Sequence, residues 1–420
     1  MKVRKRFWWL FAFHKSIKWV LLGMIGILAF FTAAGSLMER YLFHLTPLRW
    51  EVQLILAIAG VFTAYIGFKR AVKSIIDSVS PFSPVNIYQY LQTDLKIRHG
   101  PKIVVIGGGT GLSVLLRGLK KYTSNLTAIV TVTDDGGSSG RLRDELGILP
   151  PGDIRNCLVA LAETENTMDQ VFQHRFQNSG SLSGHSLGNL LLTALTEITG
   201  DFYTAIQEVS KVLAVRGRVL PATLESVVLC ARMAGGDLIK GESSITGANQ
   251  VIDRIFLEPP DCQPLPEAVQ AIMEADAVVL GPGSLYTSLI PNLLVHQIGQ
   301  AFRETTAPRI FIANIMTEPG ETTGFTASDH LNAVIQHIGP GSLDYAIVNN
   351  TAIDDERLAR YQAEGAGPVI PDAMAIRRAG VQPVFENLLG SREVAWHDPE
   401  RLAATIIRVI LRHKGVNVEL

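Results

Sequence analysis

KIVVIGGGTGLSVLLRGLKKYTSNLTAIVTVTDDGGSSGRLR, residues 102–143, is the stretch that decides the fold. KIVVI (102–106) is short, apolar and β-branched, which reads as a buried strand. Gly107 to Gly111 follow it. Leu112, Leu115, Leu116 and Leu119 then recur at helical spacing. A second apolar run, 126–133, ends in Asp134-Asp135-Gly136-Gly137. Strand, glycine turn, helix and strand in that order predict a parallel pair joined by a crossover.

Downstream the alternation continues. Residues 277–280, 309–314 and 345–349 read as further buried strands, each ending in turn residues, and 188–198 reads as an apolar helix. The expectation is an α/β body with a doubly wound parallel sheet. Residues 211–257 break the pattern with shorter runs, so this part is expected to be a small inserted subdomain of antiparallel strands. Ligands of open α/β sheets bind beyond the carboxyl ends of the strands, near the point where strand order reverses. Three strand ends therefore hold the candidate site.

The first is Gly107-Gly108-Gly109-Thr110-Gly111, whose amides at a helix start favour an anion. It fits neither the G-x-G-x-x-G nor the Walker spacing. A tight turn without a ligand is the alternative. The second is Asp134-Asp135-Gly136-Gly137-Ser138-Ser139. Asp134 lies 25 residues after Gly109, near the separation of about 20 at which an acid accepts ribose hydroxyls. The same carboxylates suit Mg²⁺ held at Asp134 or Asp135, or a plain Asp-Gly turn. Beyond it, Asp153 is placed to cap a helix, and Arg155, with Asn156 beside it, could face a phosphate. In GHSLGN (184–189), His185 could donate to a ligand or move a proton, with Asn189 nearby. Asp134, Asp135 and His185 are thus the catalytic candidates. The third end is Gly281-Pro282-Gly283-Ser284-Leu285-Tyr286-Thr287. It repeats the first design and could hold a second phosphate, with Tyr286 either flat against a ring or in the core. Asn314 begins a polar run able to complete the pocket.

Composition bounds the partners. Charged residues are 18% of the chain, below the roughly 25% of soluble proteins, and hydrophobic residues are 47%. The charge is also uneven. Residues 1–80 hold 11 Lys and Arg against 3 Asp and Glu, leaving 27 against 36 for the rest. An acidic body is a poor ligand for nucleic acid. Cys157, Cys230 and Cys262 form no C-x-x-C pair, which points to a reduced compartment.

The apolar excess sits at the start. Residues 19–38 contain no charge, and 52–68 form a second uncharged run. Both lengths approach the roughly 20 residues of a membrane-crossing helix. Basic residues flank the pair on both outer sides (Lys15 and Lys18, then Lys69, Arg70 and Lys73), which predicts both ends in the cytoplasm. The expected organisation is a transmembrane hairpin over 1–80, a linker over 81–100 with a short helix at 86–95, and a cytoplasmic body over 101–420.

The run 106–161, together with GHSLGNLLLTAL, GPGSLYTSLIPNLL and NIMTEPGETTGFTASDH in that order, resembles the gluconeogenesis factor (YvcK) family. That family is related to the 2-phospho-L-lactate transferase (CofD) family. The resemblance covers about residues 102–410. It implies a Rossmann-like fold, binding of a nucleotide sugar of the UDP-N-acetylglucosamine type, and regulation of cell-envelope precursor supply and cell shape during gluconeogenic growth. The transferase relatives imply the alternative, Mg²⁺-dependent transfer of a phospholactyl or nucleotidyl group. DDGGSSGRLR and LPPGD follow the gluconeogenesis-factor pattern. A nicotinamide-linked oxidoreductase is a third class, supported by fold but not by glycine spacing. Expected partners are a nucleotide sugar or dinucleotide, membrane lipid around residues 19–68, envelope-precursor enzymes and a second copy of the chain.

Overall fold

The computed structural model describes residues 8–43, 50–79, 97–163, 165–177, 180–390 and 394–416. It divides into two compact units, Met1–Asp94 and Leu95–Leu420. The short helix expected at 86–95 and most of the expected linker lie outside the described residues.

The first unit is a pair of helices, Trp8–Phe43 and Trp50–Val79. Small residues let them approach closely: a Cβ on Gly26 would lie 2.4 Å from the Ala64 nitrogen. Leu28, Phe31, Phe62 and Phe68 point outward and are exposed. Residues 18–35 and 51–71 are long and apolar enough to cross a membrane. Only 11% and 17% of those windows are buried within the structure, unlike core helices of a soluble domain.

The second unit is built on a seven-stranded sheet. Its strands are β1 (Ile103–Gly107), β2 (Leu126–Val130), β3 (Arg218–Pro221), β7 (Ala277–Leu280), β8 (Arg309–Ile312), β9 (Tyr345–Asn349) and β10 (Gln382–Glu386). Their order is β10-β9-β8-β7-β1-β2-β3, and every pairing is parallel. β1, β2 and β7 are buried at every position. That burial explains their unbroken apolar sequences, because helices cover both faces of a parallel sheet. The doubly wound, Rossmann-like α/β expectation holds.

The inserted subdomain is smaller than expected. Lys211 belongs to the helix Phe202–Val212, and residues 218–221 form β3, paired in register with residues 127–130. The antiparallel sheet begins only at β4 (Val228–Met233) and adds β5 (Leu238–Lys240) and β6 (Ile252–Glu258). β3 misled the sequence reading because it closes the sheet edge and opens with an exposed arginine. Half-buried β10, with Gln382 and Glu386 at its ends, was not anticipated for the same physical reason.

Candidate functional site

From β1 the chain steps outward to β2 and β3; from β7 it steps the other way to β8, β9 and β10. The neighbours β1 and β7 therefore flank the switch point, and both glycine turns stand at their carboxyl ends. The turns touch backbone to backbone. A Cβ on Gly111 would lie 2.7 Å from the Pro282 carbonyl oxygen, so no other residue fits without moving that turn. A Cβ on Gly108 would lie 2.5 Å from an Asp153 carboxylate oxygen.

On the β8 side of this junction is a cleft of about 330 Å³. Among the sequence candidates, Gly109, Thr110, Gly111, Gly283, Ser284 and Asn314 line it. Asn314 clamps the second turn, donating to the Gly283 carbonyl at 2.9 Å and accepting from its N–H at 3.3 Å. On the opposite wall, Glu318 lies in the polar run after Asn314 expected to complete the pocket, but sequence reasoning missed the rest of that wall, Tyr361, Trp396 and His397. The one cue was an aromatic-histidine pair in WHDP, ahead of the helix Pro399–His413 whose cap is Asp398.

On the β2 side the other candidates already have protein partners. Asp134 accepts from its own turn at Gly136 N–H (2.9 Å), and Asp135 accepts from Ser243 N–H (2.9 Å). Ser139 accepts from Gly152 N–H. Asn189 donates to the Ser138 hydroxyl, which bonds His185 Nδ1 at 3.0 Å. Arg155 donates to Ser186, Asn189 and Asn156. His185 and Arg155 are only 4% exposed. Burial lowers the His185 pKa, so the ring is neutral near pH 7. Burial also pulls the Arg155 guanidinium down to about 10, still charged at pH 7.

Three sequence expectations need correction. Asp153 does not cap its own helix, Gly152–Leu161, which has no side-chain cap. Its carboxylate instead takes a hydrogen bond from Gly109 N–H in the first glycine turn. Tyr286 does not line the cleft. It is 3% exposed and packs edge-on against Phe325 and His337. The turn after Ser284 winds as a single π-helical stretch, Leu285–Leu289, that is buried throughout. Nor are the amides and hydroxyl after Ser284 free for a second phosphate. Glu321 already accepts from Tyr286 N–H (3.1 Å) and from the Thr287 hydroxyl (2.7 Å).

Buried acids gather around the junction. Burial raises Asp153 to about 6, with Asp134 adding repulsion against the Gly109 hydrogen bond. Burial raises Glu321 to about 7, with Glu318 adding to it. Glu242 rises to about 9, first by burial, then by Asp134, Asp153, Glu321 and Asp135. It arrives on the helix Glu242–Gly247, delivered by the inserted sheet. That helix is held on one side by Asp135 and abuts Gly320 on the other, where a Cβ would meet the Thr246 carbonyl oxygen at 2.4 Å. Sequence reasoning missed Glu242 because nothing in β4–β6 marks it as facing the switch point. Among the described residues, no three His, Cys, Asp or Glu side chains converge to hold a metal ion. Of the two carboxylates expected to hold Mg²⁺, Asp135 accepts from Ser243 N–H, while Asp134 interacts electrostatically with Asp153. Hard carboxylate oxygens are the donors Mg²⁺ takes together with phosphates and water.

Comparisons with known proteins agree with this architecture. The profile of the family described as 2-phospho-L-lactate transferase CofD matches residues 103–389. The gluconeogenesis factor of Halalkalibacterium halodurans is 53% identical over 73% of this chain and 95% of its own length. That of Bacillus subtilis is 50% identical over 74% and 98%. A Nostoc sp. protein named "Putative gluconeogenesis factor" is 43% identical over 97% of this chain and 93% of its own, a match that runs into the apolar hairpin. An X-ray structure of a Bacillus halodurans protein superposes with a TM-score of 0.72 and 52% identity, covering 73% of this chain and 99% of that one. The chain belongs to the CofD family and, within it, groups with the gluconeogenesis factors.

Proposed function

We propose that the body binds a nucleotide sugar of the UDP-N-acetylglucosamine type in the cleft beside the switch point. In this reading it regulates cell-envelope precursor supply and cell shape during gluconeogenic growth. The observation that carries it is the cleft itself, with the Thr110 and Gly111 amides of a glycine turn on one wall and Tyr361, Trp396 and His397 on another. Backbone amides at a helix start suit a diphosphate, and aromatic rings suit the flat faces of a base or sugar. Calorimetric titration of the full chain in detergent tests the reading. UDP-N-acetylglucosamine should bind at least ~1.4 kcal/mol, or about tenfold, more tightly than NAD. Equal affinities, or tighter NAD, would overturn it.

The hairpin, in the same reading, anchors the body at the cytoplasmic membrane face through two spans. Cysteines placed at His44 and Ser83, in a variant lacking the three native ones, should label oppositely on intact cells. An impermeant reagent should reach position 44 and not position 83; the reverse pattern would invert the orientation.

A second reading is favoured by the acids around Asp153. Asp134 and Asp153 would hold Mg²⁺ together with ligand phosphates, and the ion would neutralise charge during phospholactyl- or nucleotidyl-type transfer. Phosphorus NMR of the full chain with UDP-N-acetylglucosamine, with and without Mg²⁺, decides the nucleotidyl form of this reading, with water as the acceptor. Mg²⁺-dependent turnover that Asp134→Asn removes would promote this reading; an unchanged spectrum would leave the regulator reading in place.

A further inference from the structure

His397 lies in the wall of the cleft, in the loop that precedes the helix Pro399–His413. It is 8% exposed, and its Nε2 is buried without a hydrogen-bond partner among the described residues. Buried polar atoms in folded proteins are nearly always paired, because an unpaired one costs about 1–3 kcal/mol. The Ala313 carbonyl, at the end of β8, bonds the ring and draws its proton to the other nitrogen, Nδ1. Nε2 is left with a bare lone pair. Burial pushes the ring down to about 4, so it stays neutral across the physiological range and Nε2 stays an acceptor.

We infer that His397 Nε2 accepts a hydrogen bond from a hydroxyl or amide N–H on the bound ligand, making His397 a specificity-determining residue of the cleft. The inference rests on the nucleotide-sugar reading above and sharpens it. An acceptor fixed in the wall selects for a donor. A sugar carrying free hydroxyls satisfies it, whereas a ligand with only acceptors there would leave two lone pairs facing each other. The position also separates labour within the cleft. The glycine turn supplies donors for the charged part of the ligand, and His397 supplies an acceptor for the uncharged part.

The test uses the full chain in detergent, with UDP-N-acetylglucosamine as the probe. With ¹⁵N-labelled histidine, the His397 Nε2 resonance should move on addition of the probe while Nδ1 keeps its protonated shift. His397→Leu should weaken binding about tenfold. His397→Gln, which retains an acceptor oxygen, should stay within about threefold of the wild type, a difference under roughly 0.7 kcal/mol. Wild-type binding with an unmoved Nε2 resonance would overturn the role of His397 and leave the nucleotide-sugar reading standing. Failure of the wild type to bind would overturn that reading and this inference with it. Should His397→Leu not fold, the resonance on the wild type decides alone.

Discussion

The two sides of the switch point begin from similar sequence and end in different chemistry. After β7 and β8, glycines, Ser284 and Asn314 form the wall of a cleft. After β2, Ser138, His185, Asn189, Arg155 and Asn156 bond to one another, and Asp134, Asp135 and Ser139 accept from backbone N–H groups. Both sets read as ligand residues in the sequence, because polar groups at strand ends look alike there. What separates them is whether the fold already supplies their partners. A serine that bonds a buried histidine has little left to offer a ligand, whereas the first glycine turn, with Gly109 N–H held by Asp153, keeps the Thr110 and Gly111 amides at the start of its helix.

Arg155 gives the largest expected effect. Its guanidinium holds Ser186, Asn189 and Asn156 together while facing Asp153 and Asp134. Arg155→Met strands those acceptors, two of them on the buried Ser186 and Asn189, and each unpaired buried group costs about 1–3 kcal/mol, so stability should fall by about 3–5 kcal/mol in urea denaturation. A stable variant that had lost its ligand would break the comparison, since it would move the ligand to the β2 side.

Tyr286 comes next. As a core ring against Phe325 and His337, its replacement by Ala should cost about 3 kcal/mol of unfolding free energy. A normal melting curve with reduced ligand affinity would return it to the cleft.

The sheet and most of its strands were legible because buried parallel strands are written as unbroken apolar runs, as in residues 103–107 and 277–280. The two glycine turns were legible too, since their spacing at strand ends has a backbone cause. Tyr361 and His397 were not. They reach the cleft from segments some 250 residues or more past the first turn, and only the crossover topology brings them there. Nor was Glu321 legible as the acid that fills the second turn, because its carboxylate crosses from the loop after β8.

Glu242 sharpens the comparison through pH. Its carboxyl titrates near 9 in the folded body and near 4.5 when unfolded. Folding therefore holds an extra proton between those values, and stability falls as pH rises through that window. Glu242→Gln removes the titration. The variant should melt higher than the wild type at pH 8, by on the order of 1–3 kcal/mol, and match it near pH 4. Identical pH profiles would mean that the inserted helix does not carry Glu242 against the other acids.

Thr110 carries the smallest effect and the cleanest contrast with Arg155. It is exposed at the start of the helix Gly109–Leu119 and lines the cleft. Its hydroxyl has solvent as its alternative partner, so Thr110→Ala should change unfolding free energy by no more than about 0.5 kcal/mol. Binding should respond differently. A hydroxyl beside the glycine amides can add one hydrogen bond to an anion, worth about 0.5–1.5 kcal/mol, or up to about tenfold in affinity. Paired melting and calorimetry on this one variant separate the two sides of the junction. If Thr110→Ala lowers affinity for UDP-N-acetylglucosamine at an unchanged melting temperature, the β8 side is where the ligand sits. If affinity stays the same while Asp134→Asn lowers it, the ligand sits over the β2 turn, and the network there has to open to receive it.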